Sequence, residues 1–244
     1  MGAEYQMKLG IVGGLGPLAS SYFYELITTM SDVDEDQKHL ELILYSNPVI
    51  PDRTGYILNH NKKNPLPYLI KTVNLLDSLS VDYISIPCVT AHYFLDDLKL
   101  KCDAEIIDLI EELIIFLQKH AIKRVGILAT EGTIQSRFLQ KSLEDANIEC
   151  IIPGRDEQKK LMIIIYKNIK MGKKINSDIF YSVADSLFRQ GAEINLLACT
   201  ELSIVNKELK LNETYLDLLE LLAYASLKKC GIPRKTWRDY NLWD

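Results

Sequence analysis

The sequence predicts an α/β protein made of two similar halves, each a parallel sheet flanked by helices. Two observations carry the prediction. Short β-branched runs alternate with longer segments of helical period, the pattern of βαβ units around a parallel sheet. The chain also carries the same two landmarks twice, in the same order. The first is a strand running into a Gly- or Thr-rich turn, Leu9-Gly10-Ile11-Val12-Gly13-Gly14-Leu15-Gly16-Pro17 early and Val125-Gly126-Ile127-Leu128-Ala129-Thr130-Glu131-Gly132-Thr133 later. The second is a strand ending in cysteine followed closely by threonine, Ile84-Ser85-Ile86-Pro87-Cys88-Val89-Thr90 and Asn195-Leu196-Leu197-Ala198-Cys199-Thr200. Seventy-eight positions separate Gly10 from Cys88, and 73 separate Gly126 from Cys199. Matched order and spacing mark an internal repeat, and two such halves facing each other bring one cysteine from each into a shared cleft.

In chain order, strands are expected near Lys8–Gly13, Leu40–Ser46, Val81–Pro87, Glu105–Ile107, Arg124–Ala129, Glu149–Ile152 and Ile194–Ala198, where apolar β-branched runs are bounded by turn residues. Helices fill the gaps. Leu66, Leu69, Ile70, Val73, Leu76 and Leu79 recur at three-and-four spacing, as do Leu109, Leu113, Phe116 and Leu117, so each set forms one apolar stripe against a sheet. Asn47 to Asn64 reads as a long irregular connection, with prolines at 48, 51 and 65 ahead of the next helix, and is expected to act as a lid or substrate loop.

Composition narrows the function. Of 244 residues, 48% are hydrophobic and 25% charged, with 12 Gly and 8 Pro, as in ordinary globular proteins. A net charge of −5, from 33 acidic and 28 basic residues, gives no electrostatic reason to expect nucleic acid as partner. No apolar run approaches the 18 or more residues of a membrane span. Met1 to Lys8 shows no signal-peptide pattern and Gln6 does not suit myristoylation, so a cytoplasmic location is expected. The five cysteines, at 88, 102, 150, 199 and 230, are odd in number and scattered, which reads as reduced thiols. His39, His60, His92 and His120 are dispersed and no metal-ligand spacing occurs, so no metal is expected. No lysine is marked as a pyridoxal phosphate partner.

Both turns lead from a strand into a helix start, where free N–H groups offer a site for a carboxylate or phosphate. Gly14-Leu15-Gly16-Pro17-Leu18-Ala19 fits the loose dinucleotide pattern G-x-G-x-x-A, but Tyr45-Ser46-Asn47-Pro48 stands where an acidic residue should hold the ribose. Cys88 and Cys199 each fall at a strand's carboxyl end and a helix's amino end, where the helix dipole favours thiolate. Cys102, Cys150 and Cys230 have no such setting and read as packing residues. Two thiols on opposite sides of one carbon suit removal of a proton from one face and delivery to the other. His92, four residues after Cys88, is expected to pack or cap near it.

Taken together, Gly10–Pro17, Asn47-Pro48 with Ile50-Pro51-Asp52-Arg53, Pro87-Cys88-Val89-Thr90-Ala91-His92, Ala129–Thr133 and Ala198-Cys199-Thr200-Glu201-Leu202 resemble the aspartate/glutamate racemase family, from about residue 8 to 228. The resemblance implies two Rossmann-like domains related by pseudo-twofold symmetry, an active site between them, cofactor-independent racemisation by two cysteines, and a homodimer. The expected division is 1–105 plus 206–244 against 106–205. By position, Cys88 and Cys199 become the proton donors and acceptors. Thr90, Ala91, Thr130 and Thr133 become holders of the α-carboxylate and its neighbours, through hydroxyls and backbone N–H. Arg53 and Lys170 correspond to substrate-binding cations, and Gly14, Asn47, Val89 and Thr200 complete the expected substrate-binding set. One position departs: Val89 replaces the asparagine usual there. A hydrogen bond to a charged group contributes about 1.5–3 kcal/mol, so slower turnover or a different substrate is expected. The expected activity is racemisation of aspartate first and glutamate next; the alternatives are a binding protein of the same fold and a single-cysteine relative, against which the paired cysteines argue.

Overall fold

The computed structural model describes residues 6–235; Met1-Gly2 and the stretch 236–244 of the expected first domain lie outside the described residues. The chain runs β1 (Lys8–Gly13), α1 (Pro17–Met30), β2 (Glu41–Ser46), α2 (Arg53–Leu58), α3 (Leu66–Asp77), β3 (Tyr83–Ser85), α4 (Leu95–Lys99), β4 (Glu105–Ile106) and α5 (Leu109–Lys119). It then repeats with β5 (Arg124–Ala129), α6 (Glu131–Ser136), α7 (Phe138–Asp145), β6 (Glu149–Ile151), α8 (Arg155–Ile163), α9 (Ser177–Arg189), β7 (Ile194–Ala198), α10 (Thr200–Leu209), β8 (Tyr215–Asp217) and α11 (Leu218–Lys229).

The strands form two four-stranded sheets, ordered β2-β1-β3-β4 and β6-β5-β7-β8, and every pairing is parallel. The two orders are one topology used twice, as the sequence repeat predicts. The central strands β1 and β5 are almost wholly buried past their first residue, because helices cover both faces of a parallel sheet. Gly126 is needed there, since a β-carbon would fall 1.9 Å from the Asn195 side-chain oxygen, while one at Gly10 would press on Val81 at 3.1 Å.

Three expectations are corrected. The 47–64 connection is not wholly irregular, because Asp52 caps the backbone N–H of Gly55 and starts α2. Leu79 leaves the apolar stripe of its helix and is 45% exposed, since α3 ends at Asp77 and Ser80 turns to positive φ. An eighth strand, β8, joins β7; at three residues it is too short to show a period in sequence.

Beyond β8 the chain returns to the first sheet. Ser226 of α11 and Ser85 of β3 share a buried hydroxyl–hydroxyl hydrogen bond of 2.7 Å, and Lys229 pairs with Glu105 at 2.6 Å. The turn between β8 and α11 is fixed by Asp217, fully buried, which accepts from Ser203 Oγ at 2.6 Å, Asn206 Nδ2 at 3.0 Å and the Leu219 backbone N–H at 2.9 Å. Replacing Asp217 by alanine removes the acceptor of the Ser203 hydroxyl and the Leu219 N–H, at about 1–3 kcal/mol each, while the Asn206 amide keeps Glu220 Oε1 at 2.9 Å. Asp217→Ala is expected to lower the unfolding free energy by about 3 kcal/mol or more, read from denaturant midpoints.

Candidate active site

The carboxyl ends of both sheets converge on one small cavity, with about 270 Å³ of empty space. The first half supplies Leu15 after β1, Asp52, Arg53 and Thr54 at the start of α2, and Cys88, Val89 and Thr90 after β3; the second supplies Thr130, Tyr166, Lys170, Cys199, Thr200 and Glu201. This is where parallel α/β sheets place ligands. Both expected thiols are therefore brought together, one from each half, at 6% and 5% exposure.

Cys88 precedes a tight helical turn, Val89–Phe94, in which its carbonyl accepts the Ala91 N–H at 3.0 Å. Buried His92 lies with Nδ1 3.1 Å from the same carbonyl; burial lowers its proton affinity, so it is a neutral donor that braces the turn. Arg53 is buried and donates from Nη2 to the Leu15 carbonyl and from Nη1 to the Pro51 carbonyl, with Nη2 also 3.9 Å from Cys88 Sγ. Burial acts to strip its proton, but Cys88, Asp52 and Glu201 outweigh it and raise its pKa.

Cys199 stands at the N-cap position of α10, without a side-chain capping bond. Here the helix-dipole expectation is overturned: burial first, and the Glu201 carboxylate second, push the thiol well above its ordinary range. Cys199 Sγ donates to Glu201 Oε2 at 2.9 Å, and Glu201 Oε1 lies 3.6 Å from Lys170 Nζ. Lys170 sits on a short helical turn after a π-helical turn, Ile164–Asn168, an irregularity that turns Tyr166 and Lys170 toward the cavity. Its side chain keeps 27% of its surface. Burial opposes its charge, but Glu201, Tyr166 and Cys199 hold its pKa above the usual lysine value.

Four threonine hydroxyls join the halves. Thr54 donates to Thr130 at 3.1 Å, Thr90 lies 3.0 Å from both Thr130 and Thr133, and Thr130 lies 3.2 Å from Thr133. Gly132 permits this approach, because a β-carbon there would stand 2.8 Å from Thr54 Cα. Thr133 is fully buried behind this cluster and its N–H is engaged by Thr130 Oγ1.

Four expected residues do not line the cavity: Thr133, behind the threonine cluster, and Ala91, Asn47 and Gly14. Ala91 is fully buried and its N–H is taken up by the Cys88 turn. Asn47 is held beside Gly14 instead: its backbone N–H donates to the Gly13 carbonyl at 3.1 Å, and Gly14, at φ +89°, would place a β-carbon 2.5 Å from the Asn47 backbone. Gly14 faces a larger adjoining vestibule of about 1240 Å³, which shares Leu15, Asp52, Arg53, Lys170 and Glu201 with the cavity. Sequence reasoning did not single out Asp52, Thr54, Tyr166 or Glu201. Asp52 and Glu201 stand within recognised motifs but were given no role, whereas Tyr166 is placed by an irregular turn that has no sequence signal; its hydroxyl donates to Asp52 Oδ1 at 3.2 Å.

The other cysteines are elsewhere. Burial raises the thiols of Cys102, Cys150 and Cys230, the last two to about 12, as expected of packing residues. Among the described residues no group of three or more His, Cys, Asp or Glu side chains could hold a metal ion, and no helix is long and apolar enough to cross a membrane.

The fold has known counterparts. The structure of an aspartate racemase from Picrophilus torridus superposes with a TM-score of 0.82 at 29% identity, covering 98% of this chain and 99% of that one. Glutamate racemase from Francisella tularensis, solved with D-glutamate, shares the fold at a TM-score of 0.65 and 16% identity, over 95% of this chain and 84% of the other. In sequence, the broad specificity amino-acid racemase RacX of Bacillus subtilis is 24% identical over 226 residues, 90% of this chain and 96% of RacX. The family model for Asp/Glu/hydantoin racemases matches residues 12–223, and the chain belongs to that family.

Proposed function

We propose that the protein racemises an acidic amino acid, aspartate first and glutamate next, with Cys88 and Cys199 as the two acid–base groups. Family membership supports amino-acid racemisation in general. The observation that carries the finer reading is the pair of thiols, one from each half, lining one cavity with Arg53 and Lys170. One thiolate takes the α-proton as the Cα–H bond breaks, and the electron pair passes into the carboxylate, which gains enolate character. The opposite thiol then delivers its proton to the other face of the carbon, leaving the mirror-image product and an exchanged pair of protonation states. A carbon acid so weak needs its developing charge met by fixed donors in a closed site; Arg53, Lys170 and the hydroxyls of Thr90, Thr130 and Thr200 are assigned that role. The likeness to the Picrophilus aspartate racemase supports aspartate as first substrate.

The proposal also takes the chain as two domains, 1–105 plus 206–244 and 106–205. The attachment of α11 to β3 supports the return to the first domain, but within the proposed 206–244 segment residues 215–217 pair with β7 and belong to the second sheet, so that boundary is corrected to follow β8. A homodimer and a cytoplasmic location complete the reading, on the family resemblance and the amino-terminal composition respectively.

Val89 in the cavity wall favours a second reading, altered side-chain preference, because it cannot supply the amide hydrogen bonds of an asparagine. Proton NMR of L-aspartate and of L-glutamate with the protein in deuterated water, followed by chiral analysis, decides the matter. Loss of the α-proton signal with appearance of the D-enantiomer is expected. No exchange with either acid would overturn the acidic-substrate reading and direct the same assay to other amino acids.

A further inference from the structure

We infer that Glu201 is a positioning residue for the proton of Cys199: its carboxylate accepts the thiol hydrogen and keeps that sulfur loaded as the acid of the pair. The inference rests on the two-thiol reading above and assigns it an asymmetry that the repeat alone would not give.

The two cysteines occupy matched positions, yet their neighbours differ. Two residues after Cys88 stands Thr90, whose hydroxyl is engaged with Thr130 and Thr133; two residues after Cys199 stands Glu201, whose Oε2 is 2.9 Å from the sulfur. Beside Cys88 Sγ stands instead a cation, with Arg53 Nη2 at 3.9 Å. One sulfur therefore faces an acceptor-only carboxylate and the other a donor-only guanidinium. A carboxylate at hydrogen-bond distance stabilises S–H and repels S⁻, so the proton belongs on Cys199.

Glu201 is held for this task. It is 5% exposed, its other oxygen is 3.6 Å from Lys170 Nζ, and the Thr200 hydroxyl lies 3.4 Å from Oε2. Gly16 lies alongside, where a β-carbon would stand 3.1 Å from Oε1. The groups that face Cys199 from the elements around it are Lys170 and Tyr166 on the irregular helical segment, Arg53 on α2, and Cys88 across the cavity. Lys170 acts against the proton, but burial and Glu201 together prevail.

The test is Glu201→Gln, which keeps the shape and removes the charge, beside Glu201→Asp, which keeps the charge. The ionisation of Cys199 is read as ultraviolet thiolate absorbance against pH, each protein minus its own Cys199→Ser counterpart. In wild type the midpoint should lie above the ordinary thiol value of about 8.5. In Glu201→Gln it should fall by about one pH unit or more, with Glu201→Asp remaining near wild type. The basic limb of kcat/KM, which reports the free enzyme, should fall by the same amount; a merely structural role would reduce the height of the profile without moving that limb. An unchanged Cys199 midpoint in Glu201→Gln overturns the inference, even if racemisation is intact. A shifted midpoint in a protein that exchanges no amino-acid α-proton leaves the Glu201–Cys199 coupling standing and overturns the racemase reading instead.

Discussion

Replacing either Cys88 or Cys199 by serine is expected to lower racemisation by about a thousandfold or more. Loss of a positioned general base or acid costs about 10²–10⁴, and a serine hydroxyl is far harder to ionise than a thiol. The informative result is in what survives. With one sulfur left, the remaining thiolate can still take the α-proton from the enantiomer that presents it, exchange that proton with solvent, and return another to the same face. In deuterated water the Cys199→Ser protein should therefore wash deuterium into one enantiomer without inverting it, and the Cys88→Ser protein into the opposite enantiomer. The latter exchange should be slower at neutral pH and faster as pH rises, because Glu201 holds the proton on Cys199. The double mutant should do neither. Racemisation undiminished in both single mutants would remove the two-thiol mechanism.

Arg53→Ala should be nearly as severe, lowering kcat/KM by about 10²–10³. The guanidinium is buried, donates to the carbonyls of Leu15 and Pro51, and stands against Cys88 Sγ. Losing its proposed pairing with a substrate carboxylate in the closed site costs about 2–5 kcal/mol, and each 1.4 kcal/mol is about a tenfold change in rate. Arg53→Lys restores the charge but not the fork that reaches two carbonyls at once, so it should recover only part of the loss. Thermal midpoints of the three proteins separate lost binding from lost folding: a melting temperature unchanged while kcat/KM falls supports the substrate role, and activity retained in Arg53→Ala would refute it.

The repeat made the fold readable. Strands such as Lys8–Gly13 and Arg124–Ala129 are central and buried on both faces, so their apolar runs are long and unbroken. β8 and α2 escaped because each is short and owes its place to a tertiary partner, β7 for one and the Asp52 cap for the other. The two sulfurs were legible for the same reason as the sheets, each marking the end of a repeated strand. The ionisation of Cys199 was not, because position at a helix start predicts one direction and a buried carboxylate two residues on produces the other. Nor was Tyr166, which reaches the cavity only through a π-helical turn, a feature set by packing rather than by local propensity.

A chain of L-residues cannot contain a mirror plane, yet on the proposed reaction it must treat a molecule and its reflection alike. Using one topology twice around a pseudo-twofold axis is the nearest substitute that rotation allows, since it turns one strand end toward each face of a flattened carbon. The substitute is imperfect: Arg53 belongs to one half, and Lys170 and Glu201 to the other. Thermodynamics limits where that imperfection can show. Enantiomers have equal free energy, so kcat/KM must be identical in the two directions whatever the site looks like. The inequality of the halves is confined to kcat and KM separately, which must differ between L and D substrate by one common factor.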